Sequence, residues 1–547
     1  MRQFKIFILL AIGISSLLGC RKFLDVNSDP ASPQKPDLNA IFPPLTAVMS
    51  RMMIFDGRFV GQYTQNFSHT SASENYDIHG GNAGGSGANQ HWRDFYTLQG
   101  TTINLVIKTG IAEEKWDYVG AALAIRAWGL QSTTDYFGEM PYRQAWEDNR
   151  VYFDYDDQEY IYFAVDSICK EALTYLARTD GKVNQAVMGR GDQVYQGNRQ
   201  RWIKFVYGIL ARNAHHISNK PNYNPNDVIK YVDLSLDGLS DNFNINHTAT
   251  RNDDTNPWGP ARDNLSVRRQ SRFITQLLDG NTFIGNTLPI SRDPRLGRLL
   301  SASFDTTATN SNMPSQNGGY RFILPASGYV IGTAGTASFR QAPSTLYGDS
   351  TTINPAIGNF SSGAGKFLFQ NRVVFPIMTY HELQFIKAEA AFRKNDLTTA
   401  YTAYRNGING HIDFVNNLNQ SASNVTQITT TERNAYLASG SVKQNAASIT
   451  ITDIMLQKYI GDFGWNFVEC WSDMRRFNYF DLDELTGLPV YRNYQIPVYS
   501  SNNLGPKPAQ RFRPTNFSEF DWNLGALRKI GALNVDYHTY EMWFSRP

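Results

Sequence analysis

Helical periodicity that recurs in pairs constrains this chain more than any other feature. Trp116, Val119, Leu123, Ala127 and Leu130 fall at i, i+3, i+7, i+11 and i+14, one face of a helix over about 113–137. A second helix begins after Asp156 and Asp157 and runs to about Arg178, a third covers about 199–218, and a short one, entered through Pro225 and Asn226, about 226–238. The pattern returns at about 380–394 and at about 396–415, where Leu397, Tyr401, Tyr404, Ile408 and Val415 share a face. Asn395 reads as the N-cap of that helix, with Asp396 in its first turn. A last pair covers about 452–461 and 463–477, parted near Gly461 and Gly464. Pairs of this kind bury their apolar faces on their neighbours. The expected fold is mainly α, a tetratricopeptide-like helix-pair solenoid of about four units.

Between about 241 and 375 the composition changes to Gly, Ser, Thr and Asn, and a helical period survives only over about 265–279. So long an irregular stretch inside a folded chain points to function. Its interspersed Tyr, Phe and Arg suit an ordered, loop-rich insertion that forms a ligand face. The segment 66–91, with "HGGNAGGSGANQH", is a second long loop. The expected frame is a single domain over 41–547: a helical body over about 41–240 and 376–480, the insertion, and an irregular C-terminal segment over about 481–547.

Residues 1–19 carry a charged start, Arg2 and Lys5, then the apolar run Ile6–Ile14. That run is too short to span a bilayer and reads as an export signal; no later stretch reads as long and apolar enough to span one. Leu17-Leu18-Gly19-Cys20 looks like a bacterial lipobox, in which Cys20 is acylated and becomes the first residue; the alternative is an ordinary signal peptide with a chance cysteine. Residues 20–40, with three Pro among Asp, Asn and Ser, read as the lipidated tether.

Net charge is +2, and with Arg2 and Lys5 removed the bases balance the 49 acids. A near-neutral chain with no Lys/Arg run offers no field for nucleic acid. Besides Cys20, the cysteines are Cys169 and Cys470, outside any C-x-x-C and in expected helices, where buried free thiols are the reading and a bridge stays open.

Catalytic and metal motifs find little support. The glycines of 80–87 lack phosphate-cradle spacing, and Ser86 makes no nucleophile elbow. "DYDDQE" (154–159) precedes a helix, where carboxylates cap backbone N–H groups. His215 and His216 are adjacent and cannot face one metal from a helix, and "HELQF" (381–385) has Phe385 where a zinc site needs its second His. "RNDDTNP" (251–257) lacks the glycine and distal Glu of a calcium loop, leaving a structural calcium as a minor alternative and no other cofactor. Trp92 heads a periodic run with Tyr96 and Ile103 and reads as core. Aromatics in polar loops are the better signal: Tyr76, Trp258, Phe283, Tyr320 and Tyr347 could stack on sugar rings, with Asn75, Asp77 and His79 beside Tyr76 to bond hydroxyls. The competing reading is that each aromatic pins its own loop.

Cys20 followed by "FLDVNSDPASP", then "RAWGLQSTTDYFGEMPY" (126–142), "HELQFIKAEAAFRKNDLTTAYTAYRNGI" (381–408) and "IMLQKYIGDFGWNFVECWSDMRRFNY" (454–479), with Gln457, Lys458, Tyr459, Trp471, Asp473, Arg475 and Arg476, together resemble the SusD/RagB outer-membrane lipoproteins of Bacteroidetes across nearly the whole chain. The closing stretch departs, with Arg513-Pro514 where that family commonly has Tyr-Pro. The resemblance implies no catalysis. It implies a surface-exposed, lipid-anchored outer-membrane protein that captures an oligosaccharide or peptide and closes as a lid over a SusC-like TonB-dependent transporter. The helical units would face the barrel and the loops the ligand. An oligopeptide importer, a lipid-anchored hydrolase and a scaffold are the rival readings.

Overall fold

The structure is a computed structural model that describes residues 37–81, 89–280, 282–283, 288–303, 319–329, 342–347, 352–354, 359–361, 365–420, 422, 425–514 and 518–547. Cys20, the leader and most of the tether lie outside these residues. α1, Leu38–Tyr63, opens within the span read as tether, with Asp37 as its N-cap accepting from Asn39 N at 3.0 Å. By length and composition α1 could cross a membrane, contrary to the sequence reading. Half of its most apolar stretch is nevertheless buried in the protein, and it carries Arg51, Asp56 and Arg58. It is a core helix. A Cβ on Gly57 would lie 2.6 Å from the Phe467 ring, so glycine there lets α1 approach the C-terminal helices closely.

The helical body follows in order: α2 (Thr101–Ala112), α3 (Trp116–Phe137), α4 (Gln158–Ala177), α5 (Arg199–His216) and α6 (Pro225–Asp233). After the insertion come α8 (Tyr380–Arg393), α9 (Leu397–Leu418), α10 (Thr430–Leu437), α11 (Ile451–Asp462) and α12 (Phe467–Arg476); α7 (Arg272–Leu278) lies within the insertion. Each helix packs on the next, α2 on α3, α3 on α4, α4 on α5, α5 on α6, and then α6 on α8, α8 on α9 and α11. This is the expected stacked-helix architecture, mainly α. α3 is more central than one apolar face suggests: every residue except Arg126 is buried.

The caps are the ones polar residues supply. Asp157 accepts from Tyr160 N at 2.8 Å, as the capping reading of 154–159 requires. Thr429 and Thr450 each close a capping box, with Glu432 and Asp453. The cap of α9 is Asp396, not Asn395; Asn395 takes a left-handed turn (φ 63°) one residue earlier. Cys169 and Cys470 are buried and free.

The insertion is stitched to the body by two short antiparallel sheets. β1 (Phe67–His69), directly after α1, pairs with β3 (Arg268–Gln270). β2 (Phe243–His247) pairs with β6 (Val373–Met378), closing the root of the insertion. β4 (Thr352–Asn354) and β5 (Asn359–Ser361) form a hairpin between them.

Candidate functional site

The face built from the loop after β1 and the strands and turns of the insertion is held from below by the residues expected to meet a ligand. Asp77 is buried. Its Oδ1 accepts from Gln62 Nε2 of α1 at 2.8 Å, and its Oδ2 accepts from His69 N at 3.0 Å and Ala326 N at 3.4 Å. One carboxylate therefore ties α1, the first loop and the insertion together. Burial pushes Asp77 up to about 7, against the hydrogen bonds that favour its charged form. His79 is buried too: Nε2 meets the Tyr494 hydroxyl at 3.1 Å, and Nδ1 accepts from Ala509 N at 3.1 Å. Burial, with His538 nearby, pushes it down to about 3, so it is neutral and structural.

The aromatics mostly turn inward. Tyr76 lies on Phe59 (centroids 4.5 Å apart) and near Tyr63. Trp258 is fully buried among Phe67, Phe369, Phe375 and Phe467. Phe283 is buried, and buried Tyr347 donates to Asp263 Oδ1 at 2.5 Å while accepting from Leu265 N at 3.3 Å. For Tyr76, Asp77, His79, Trp258, Phe283 and Tyr347 the ligand-contact expectation is corrected: each pins its loop, the rings through buried apolar area and Asp77 and His79 through hydrogen bonds that offset the cost of burying them. Asn75 and Tyr320 remain half-exposed, Asn75 bonding Gly81 O and Tyr320 lying 5.8 Å from the Arg292 guanidinium. Half-exposed Tyr329 joins them, its N–H donating to Thr70 O at 2.7 Å. These three are half-exposed polar and aromatic groups that this face can offer to a ligand, beside exposed Ser71, Ser73 and Ser327.

The motifs set aside as catalytic are structural here. His216 lies between Glu469 (2.8 Å) and Asp135 (3.5 Å), and His215 meets Glu389 at 2.8 Å. In the HELQF stretch Glu382 pairs with Arg212, and His381 meets Gly461 O at 3.1 Å. At 251–257, Asp254 accepts from Thr248 N at 3.0 Å and Asp253 pairs with Arg251. Among the described residues, no group of three or more His, Cys, Asp or Glu is placed to hold a metal ion.

The segment richest in motif residues is buried throughout. Lys458 bridges Glu469 (3.1 Å) and Asp473 (2.8 Å), Arg476 joins Asp473 (2.5 Å) to Glu389 (2.7 Å), and Arg475 donates to Asp135 O and Gln510 O, both at 2.8 Å. Trp471 donates to the Tyr479 hydroxyl at 2.6 Å. A SusD-like family model, described as starch-binding associating with outer membrane, matches residues 40–498. The chain belongs to the SusD-like family. A chitin-binding protein superposes with a TM-score of 0.64 at 18% identity, over 93% of this chain and 100% of its own. A chitin-binding SusD homologue from Flavobacterium johnsoniae gives 0.64 at 18%, over 93% and 98%. A SusD/RagB family protein from Bacteroides thetaiotaomicron gives 0.61 at 19%, over 92% and 98%. At these identities the three likenesses establish the SusD-like fold alone. No curated protein matches the chain.

Two surface features escaped sequence reasoning. On the SusD-like helical body, α4, α5 and α6 flank a cleft of about 400 Å³ whose walls include Phe163 (65% exposed), Tyr231, Trp543, Asp166, Lys170 and Asn224. Phe163 breaks the rule that puts large apolar residues inside, and its sequence neighbours do not mark it as exposed. The second is an exposed indole, Trp522, near the C-terminus. Its polar surroundings, Asp521 and Asn523, are the same signal that singled out Tyr76 and Trp258.

Proposed function

We propose that this SusD-like protein binds an oligosaccharide on its loop face and delivers it to a SusC-like TonB-dependent transporter at the outer membrane. It acts as a lid on the barrel, held by lipid on Cys20. The observation that carries the reading is the family match over 40–498, in a family described as starch-binding, joined to two structural relatives described as chitin-binding. Tyr320 and Tyr329, half-exposed above a frame fixed by Asp77, give rings for stacking, and Asn75 gives an amide for hydroxyls. The cleft between α4, α5 and α6 lies on the helical side, where the partner barrel would dock. The role is binding and handover without turnover.

Isothermal titration against starch-, chitin- and xylan-derived oligosaccharides and a peptide mixture tests it. Saturable binding of a glycan, recovered unchanged, is expected. Binding of peptides with every glycan silent would replace the ligand class, and hydrolysis of a bound glycan would replace the role. Cys20→Ala is expected to move the protein from the detergent phase to the aqueous phase with the fold intact; unchanged partitioning would refute the anchor.

A further inference from the structure

Trp522 is 64% exposed, an unusual state for a large indole in a folded protein. It sits on a short helix, Glu519–Trp522, facing the extended segment 151–155. The two are clamped together. Asn523 Oδ1 accepts from Phe153 N at 3.3 Å, Asn523 Nδ2 donates to Phe153 O at 2.9 Å and to Glu519 Oε2 at 3.0 Å, and the Tyr155 hydroxyl donates to that same Glu519 oxygen at 2.6 Å. Lys529 fastens the far edge through Asp154 at 2.8 Å. Between them lies an open cleft of about 280 Å³ lined by Val151, Phe153, Ser518, Glu519, Trp522 and Asn523.

We infer that this cleft is a second carbohydrate-binding site, in which Trp522 stacks on the face of a sugar ring while Ser518 and Glu519 bond its hydroxyls. The inference rests on the glycan reading above and adds a site outside the loop face. Three properties choose the occupant. The short helix that carries the indole is held by a hydrogen-bonded clamp, so stacking requires little further ordering of the backbone. Among the described residues Glu519 Oε1 accepts no hydrogen bond, which leaves an acceptor at the rim of the apolar floor. Among the described residues no Lys, Arg or His lines the cleft, which disfavours an anionic ligand and suits a neutral hydroxylated one. A folded protein partner needs about 20–30 residues on a side, far more than this cleft provides.

The test compares the wild-type chain with Trp522→Ala, Trp522→Phe and, on the loop face, Tyr320→Ala. Probes are trisaccharides and hexasaccharides from chitin and from starch, and the insoluble polymers. Because Trp522 is exposed, Trp522→Ala should keep the wild-type melting temperature. For the glycan that wild type binds, it should remove one class of site from the titration, or weaken binding to the polymer about tenfold or more. Trp522→Phe should restore part of that loss, and Tyr320→Ala should leave the Trp522 class of site in place. If wild type binds a glycan and Trp522→Ala matches it in affinity and stoichiometry for every probe, the second site is overturned while the functional reading stands. If wild type binds no glycan at all, the functional reading falls first and this inference with it.

Discussion

Two sets of buried arginines, Arg476 and Arg212 of the helical body and Arg268 and Arg269 at the root of the insertion, are neutralised in different ways. In the body, charge meets charge across elements distant in sequence. Arg476 of α12 holds Glu389 of α8 with two nitrogens (2.7 and 2.8 Å) and Asp473 with one, and Arg212 of α5 pairs with Glu382 of α8. Arg476 is held well above its ordinary range, the cost of burial being outweighed by Glu389 and Asp473. At β3 of the insertion, buried arginines meet neutral oxygens instead, whereas Arg295 farther along the insertion pairs with Asp293 at 2.6 Å. Arg269 donates to Pro343 O (3.1 Å), Ser266 O (2.5 Å) and Arg268 O (2.9 Å), and Arg268 to Arg58 O and Gln62 Oε1, both at 3.0 Å. Burial pushes both down to about 10. A guanidinium with five fixed donors can fasten irregular chain that has no ladder of its own. Arg476 and Arg212 thus use ion pairs to fix helix against helix, while Arg268 and Arg269 satisfy carbonyls at the root of the insertion, as Arg475 does within the body.

The largest expected effect tests the body. Arg476→Met leaves Glu389 and Asp473 buried with fewer partners and is expected to cost about 3–5 kcal/mol. Denaturant unfolding measures it. Adding Glu389→Gln should recover part of the loss, since it removes one stranded charge; a strictly additive double variant would show that the two groups are not coupled. Trp471→Ala should cost a similar 3–5 kcal/mol, because a fully buried indole leaves a cavity and its N–H no longer donates to Tyr479 Oη. An unchanged melting temperature would sink that expectation.

A pH profile gives the next effect. Burial pulls His216 down, but Glu469 and Asp135 outweigh it and push the imidazole up to about 9 from the ordinary 6.5. Its folded value lies above its unfolded value, so its contribution is complete below about pH 6.5 and lost as pH rises through about 9. The loss is about 3 kcal/mol at most. Melting temperature should therefore fall across that window, and His216→Gln should flatten the fall while lowering stability below it. A wild-type profile flat from pH 6.5 to 9 would show that the ring is neutral. In the insertion the matching substitution, Arg269→Met, strands carbonyls but no carboxylate. It should cost about 1–3 kcal/mol, less than Arg476→Met. Equal losses for the two would erase the distinction between the regions.

Much of this difference could be read from the sequence, and the rest could not for physical reasons. Apart from α10, the helices from α3 to α12 are visible because apolar residues recur at helical spacing and several open on a polar cap, as α4 does on Asp157 and α9 on Asp396. α1 was missed because it is apolar on nearly all sides and carries Pro43 and Pro44 in its second turn, which mimics a linker. Trp258 and Trp522 show the limit for the candidate site. Both are tryptophans among Asp, Asn and Pro or Glu in irregular chain, yet one is fully buried and the other 64% exposed. What decides between them is whether β1, β6 and α12 supply a facing wall of phenylalanines, and that wall comes from residues more than a hundred positions away.

The smallest effects sharpen the comparison at a helix cap and an exposed turn, where neither kind of buried arginine operates. In the body, Thr450 closes the N-terminus of α11 with two reciprocal bonds, accepting from Asp453 N at 3.3 Å while Asp453 Oδ2 accepts from Thr450 N at 3.0 Å. Thr450→Ala should cost about 1 kcal/mol, since a helix end loses a side-chain acceptor that water replaces only in part. In the insertion, Arg251 and Asp253 pair at 3.1 Å with both side chains largely in solvent. Arg251→Ala should change stability by no more than about 0.5 kcal/mol, because screening and side-chain entropy cancel most of an exposed pair. Urea midpoints of the two variants measure the ratio. If Arg251→Ala proved as costly as Thr450→Ala, the 251–254 turn would be holding the root of the insertion through more than its own ion pair. The loops would then depend on charge in the way the helices do.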